Sequence, residues 1–202
     1  MRTKVSTLVL ALAAVLAISA GATAVASASV WKFNGTELSG NETIVGAALS
    51  SSLSIPGATT ECAHFLYNMK IKNTAGTGKG EITELPLYEC TTKSAVCTVK
   101  SIEAEKLPWP TQIKTVAGKD YLYVEGVSVS IVYTGERCSL GHIRVAGTAG
   151  GLIENGTQTA TFSKATFEAT GASLKVGSSS VEWNGLFPTE GFEVHREQLL
   201  EG

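Results

Sequence analysis

Four cysteines, Cys62, Cys90, Cys97 and Cys138, stand in one stretch of a chain whose first residues read as an export signal. Nothing else in the sequence restricts the fold as much. Arg2 and Lys4 form a basic start, Val5 to Ile18 is almost wholly apolar, and Ala24-Val25-Ala26 and Ala26-Ser27-Ala28 each have the small-x-small pattern of a cleavage site. The expected cut follows Ala28, with Ala26 as the alternative, so residues 1–28 would be removed. An even set of cysteines behind such a segment predicts disulfides and a secreted, extracellular or cell-surface location. No later run reaches the ~18 apolar residues that span a bilayer, which predicts no membrane insertion after cleavage.

Four cysteines allow three connectivities. Cys90 and Cys97 enclose six residues, short enough for a hairpin end, and this geometry favours Cys90–Cys97 with Cys62–Cys138. Loop-closure entropy does not choose: that set gives about 2.5 plus about 4.5 kcal/mol, and Cys62–Cys90 with Cys97–Cys138 gives about 3.6 plus about 3.9 kcal/mol. A zinc site using Cys62-Ala63-His64 is the other reading, but the paired C-x2-C spacing of structural zinc is absent. No metal and no cofactor are expected.

Removing 28 residues leaves 202 − 28 = 174, one domain by length, over 29–190 with 191–202 as a tail or short helical turn. The removed segment holds two basic residues and no acid, so the mature charge is 14 − 18 = −4. A mildly acidic chain without a basic cluster offers no footing for nucleic acid. Asp120 is the single aspartate, which excludes sites built on clustered aspartates such as EF-hand loops.

Period-two alternation dominates what remains and predicts an all-β fold, an antiparallel β-sandwich or partly closed β-barrel. Trp31-Lys32-Phe33 leads into an Asn34-Gly35 turn, and Thr43 to Ala48 and Leu49 to Ile55 read as two strands. Ala63, Phe65, Tyr67, Met69 and Ile71 share a face that should meet the core. Thr74 to Gly80 is glycine-rich but lacks the Ser or Thr of a phosphate loop after its Gly-Lys pair, so a hairpin turn is expected. Thr98 to Ala104 is a further strand. Tyr121 to Tyr133 is strand-like throughout, with a choice at Gly126: a bulge would turn Tyr121 and Tyr123 to solvent, an unbroken strand would bury them. Asn155-Gly156 predicts a two-residue hairpin between His142–Ile153 and Gln158–Phe167, setting Ala149 opposite Phe162 and letting its ring cover Gly147 and Gly151. Ala172 to Val176 and Val181 to Phe187 complete the strands.

Candidate chemistry is sparse. His64, His142 and His195 are far apart and no nucleophile elbow occurs. Trp109, stiffened between Pro108 and Pro110, either caps the core or joins Tyr121 and Tyr123 as a ligand-binding aromatic patch. Glu103 and Glu105 share a strand face near Trp109 and form the alternative catalytic pair, that of a secreted glycan hydrolase.

Glu61-Cys62, Leu87-Tyr88-Glu89-Cys90, Val96-Cys97-Thr98-Val99 and Cys138 followed by Val145 to Gly151 together resemble uncharacterised secreted bacterial β-rich four-cysteine proteins, over about residues 60 to 152. The resemblance implies a β-rich exported fold and carries no activity. The expectation is therefore a secreted non-enzymatic module that binds an extracellular polysaccharide or cell-surface polymer. The alternatives are the hydrolase and an envelope protein that self-associates through strand edges.

Overall fold

The computed structural model describes residues 29–48 and 50–196. The expected export segment and the last residues of the expected tail, 197–202, lie outside them. Along the chain run β1 (Ser29–Phe33), β2 (Thr36–Glu37), β3 (Glu42–Ala48), β4 (Ser51–Ile55), β5 (Ala58–Thr74), β6 (Thr77–Glu84), β7 (Leu87–Lys93) and β8 (Thr98–Ala104). After them come β9 (Trp109–Val116), β10 (Lys119–Thr134), β11 (His142–Glu154), β12 (Thr159–Phe162), α1 (Lys164–Thr170), β13 (Leu174–Val176), β14 (Ser179–Pro188) and β15 (Phe192–Arg196).

The strands pair antiparallel in the order β12-β11-β13-β14-β4-β5-β6-β9-β10-β8, and the further pairing of β10 with β11 bends this path into a ring. That is the partly closed barrel of the two expected architectures. Among the described residues no helix is long and apolar enough to cross a membrane. The interior is aromatic as well as aliphatic: Phe162 stacks on Trp183 at 5.0 Å, and Phe187 meets Phe65, Tyr67, Phe162 and Trp183 at 4.6, 5.2, 5.0 and 5.6 Å. The indole of Trp183 donates to Ser51 Oγ at 2.8 Å, so its one polar atom is satisfied inside the core.

Local chemistry explains much of the path. Asn34 and Gly35 both have positive φ (49° and 77°), as do Ala75 and Gly76 (50° and 72°), giving tight two-residue turns before β2 and β6. Phe65, Tyr67, Met69 and Ile71 are buried as the alternation requires. Ala63 departs from it: β5 buries Ala58, Thr60 and Cys62 and then changes phase, leaving Ala63 and His64 outside. The neighbouring strands change phase at the same level, β3 burying Ile44 and Ala48, β4 burying Ser51, Leu53 and Ile55.

Four expectations are corrected. The disulfides are Cys62–Cys90 and Cys97–Cys138, replacing Cys90–Cys97 and Cys62–Cys138. The physical reason is register: Cys62 lies directly opposite Cys90 on β5 and β7, whereas Cys97 begins the way into β8, beside the turn that carries Cys138. At Asn155-Gly156 the loop runs from Asn155 to Gln158, two residues longer than expected, so Phe162 faces Gly151 and Gly147 faces Leu174. The ring does cover Gly151, where a Cβ would meet Phe162 Cε2 at 2.7 Å. The strand expected to reach Phe167 stops at Phe162, because Ser163 and Thr166 form a capping box that starts α1, and Gly171 ends it at φ 67°. Finally, residues 192–196 of the expected tail form β15 and pair with β1.

β15, β1 and β2 make a small second sheet that closes one end of the barrel. Trp31 is fully buried there, and Gly78 makes room for it: a Cβ at Gly78 would lie 2.9 Å from Trp31 Cδ1. Two asparagines clamp this lid by pairing with main chain as a strand would. Asn73 accepts from Trp31 N–H (2.8 Å) and donates to the Trp31 carbonyl (2.9 Å); Asn155 accepts from Val194 N–H (2.9 Å) and donates to the Val194 carbonyl (2.6 Å).

Candidate binding surface

The expected aromatic patch is not on the surface. Trp109 is 1% exposed, inside the core, and its indole donates to the Glu105 carbonyl at 2.8 Å, so the two prolines deliver it inward as a cap. The bulge at Gly126 does form, with a register shift between Val124 and Val127 and φ 66° at the glycine. The phase therefore swaps, the alternative that would turn both tyrosines to solvent, yet Tyr121 is only 6% exposed. Helix α1 packs against β9, β10 and β11, and its Thr170 lies over Gly150, the register partner of Tyr123. The outer face of this corner is therefore covered. Tyr123 is half-buried beneath Lys114, whose Nζ stands 3.0 Å from the ring centroid. A short helix invisible to period-two reasoning thus removes the platform.

Glu103 and Glu105 do not share a chemical setting. Glu103 is an exposed β8 residue opposite Ser130. Glu105 accepts from Arg144 Nε at 2.8 Å and from Ser128 Oγ at 3.4 Å. The Arg144 hydrogen bond holds its carboxyl below the ordinary carboxylate range, against the opposing effect of desolvation. A carboxyl kept ionised in this way is unsuited to protonate a leaving group. Because the folded value is the lower one, the pairing contributes stability above about pH 4.3, the unfolded glutamate value, and loses it as pH falls through the folded value. Arg144→Gln is expected to return the Glu105 titration toward the ordinary range, read from the side-chain carboxyl resonance. An unchanged titration would show that Arg144 is not the cause.

Among the described residues no three His, Cys, Asp or Glu side chains gather closely enough to hold a metal ion.

A concavity lies elsewhere, an open trough of about 820 Å³ crossing β7, β5, β4, β14 and β12. Strand register builds it. Thr91 faces Glu61, Glu61 faces Ser52 and Ser52 faces Asn184, so four polar side chains line up across four strands. At the strand spacing of ~4.8 Å this row is about 14 Å long. Beside it Leu186, 45% exposed, faces Thr161. Ser163, the cap of α1, closes one end, so the helix N-cap serves the fold and the rim together. Both carboxylates of the trough have cationic or ionisable neighbours: Glu61 pairs with Lys93, and Glu89 Oε2 lies 3.6 Å from His64 Nε2. Glu61, Cys62 and Glu89 stand in the stretches that carry the resemblance, but no local pattern marks any trough residue as part of a binding site. Their contiguity exists only once β7, β5, β4 and β14 are side by side.

No curated protein and no solved structure matches the chain. A family model does, from residue 2 to residue 189, far beyond the 60-to-152 stretch that carried the resemblance; its description is alkane oxidation protein activator PraA/PraB-like. With nearly the whole sequence matched and four cysteines paired in an all-β fold, the chain belongs to the PraA/PraB-like family of alkane oxidation protein activators.

Proposed function

We propose that the protein is an exported, non-enzymatic module that binds an extended polyhydroxylated polymer, such as a cell-surface or extracellular polysaccharide, in the trough across β7, β5, β4 and β14. The row Thr91, Glu61, Ser52 and Asn184 beside the exposed Leu186 carries this reading. Hydroxyl, amide and carboxylate groups in a line suit the repeated hydroxyls of a sugar chain, and the exposed Leu186 suits an apolar ring face. The trough replaces Trp109, Tyr121 and Tyr123 as the binding surface. The family's description speaks of activating an oxidation, which is the part of an accessory protein that acts by binding.

The reading is tested with the mature protein on a panel of soluble and insoluble polysaccharides. Asn184→Ala combined with Leu186→Lys is expected to weaken binding at least tenfold, about 1.4 kcal/mol, while Glu103→Gln with Glu105→Gln leaves it unchanged. Binding that survives the trough changes, or glycan turnover lost with the glutamates, would overturn it in favour of another surface or of the hydrolase.

A further inference from the structure

Strands β7 and β8 follow one another through the short link 94–97, yet they do not pair. Among the described residues β7 pairs with β5 alone and β8 with β10 alone. The disulfides account for this: Cys90 is held to Cys62 on β5 and Cys97 to Cys138 beyond the end of β10, so the two arms are drawn toward different strands. At one end of the ring β5 and β10 are joined through β6 and β9, which pair with each other. At the level of β7 and β8 the wall instead has a seam with no strand pairing across it. No residue of either strand is buried.

The seam is apolar on both sides. Outside it lies a groove of about 390 Å³, inside it a cavity of about 30 Å³ within the barrel, and Leu85, Leu87 and Ile102 line both. Beyond them the cavity is walled by Val127, Val129, Val145, Leu174 and Trp183. The two hydroxyls on its wall are engaged within the protein, Ser51 accepting from the Trp183 indole at 2.8 Å and Thr60 sharing a hydrogen bond with Tyr133 at 2.7 Å. A cavity lined in this way stays dry, and on a scale where about 10 to 15 Å³ admits one water it has room for two or three groups of methylene size.

We infer that the seam between β7 and β8 is the entry to a binding site for an uncharged, unbranched alkyl chain, whose tip lies in the cavity beside Trp183 while the rest lies in the groove. A space of that volume takes the end of a chain and excludes a sugar or an aromatic ring. Its aliphatic walls reward the removal of methylenes from water. At the groove Glu84 and Glu103 are exposed carboxylates, and among the described residues that line it none is cationic, so like charge disfavours the head of a fatty acid. The site is distinct from the polymer trough and does not rest on that reading.

The protein is titrated with n-decanol brominated at its far end, below the solubility limit of the alcohol, and its tryptophan fluorescence is read. Bromine quenches at contact, so saturable quenching is expected, deeper than with bromine beside the hydroxyl and lost in Trp183→Phe. The correspondingly brominated decanoate should bind about tenfold more weakly, and Glu84→Lys should narrow that gap to about threefold. No saturable quenching, or equal quenching from the two bromine positions, would overturn the insertion; that comparison uses the native chain and decides even if Trp183→Phe does not fold. Quenching retained in a folded Trp183→Phe would place the chain elsewhere and overturn it as well. Decanoate bound as tightly as the alcohol would overturn the choice of an uncharged chain.

Discussion

Replacing Cys97 and Cys138 together by serine should cost about 4 kcal/mol of unfolding free energy, the loop-closure value for their separation. The same change at Cys62 and Cys90 should cost slightly less, about 3.6 kcal/mol. Both sites carry a second penalty, since Cys97 and Cys62 are 6% and 3% exposed and a serine hydroxyl there must find a partner or remain unpaired. Against a typical total of 5 to 15 kcal/mol, either loss is large. The bonds also act in different places. Cys62–Cys90 ties β7 to β5 along the trough, whereas Cys97–Cys138 ties the approach to β8 to the turn between β10 and β11. Urea unfolding of the two double variants measures the costs, and non-reducing peptide mapping checks the pairing. A peptide joining Cys90 to Cys97 would refute the pairing outright.

Gly147→Ala should be nearly as damaging, by about 2 to 6 kcal/mol, from backbone strain of about 1 to 3 and overpacking of about 1 to 3 kcal/mol. Gly147 adopts φ 146°, and a Cβ there would run into the Ser173 carbonyl oxygen, a backbone atom that cannot rotate away. That carbonyl already accepts from Thr148 N–H at 2.9 Å. Gly147 also pairs with Val127 on one side and Leu174 on the other, so any displacement spreads into β10 and β13. Gly156→Ala is the control: nothing lies within 4 Å of its Cβ position, and reduced freedom of the unfolded chain should give a gain of about 0.5 kcal/mol. Equal urea midpoints for the two variants would contradict the packing assigned to the junction.

What could be read from the sequence was what local alternation and turn chemistry encode. The buried set Phe65, Tyr67, Met69 and Ile71 and the turns at Asn34-Gly35 and within Thr74 to Gly80 each depend on residues within a few positions of one another, whereas at Gly126 the local pattern left a bulge and an unbroken strand equally open. The disulfide pairing depends on which strands are neighbours, and closure entropy is nearly the same for both arrangements. Seven-residue α1 was hidden among threonines that also suit a strand, although Ser163, Thr166 and Gly171 mark its ends. Missing it meant missing the cover over Gly150, the register partner of Tyr123. The trough is further still from local pattern, since positions 52, 61, 91 and 184 meet only through the order of four strands.

The pairing of β1 with β15 sets Ser29 beside Arg196, with the two strands running in opposite directions. A load applied at both of these residues would pull across the hydrogen bonds at one end of the ladder and part them one after another, as a zipper opens, where a shearing load would meet them all together. A cargo fused beyond either residue would leave from the same pole of the barrel. Tethered there, the protein would present its opposite pole outward, and tension would peel the lid away before it reached the ring of strands.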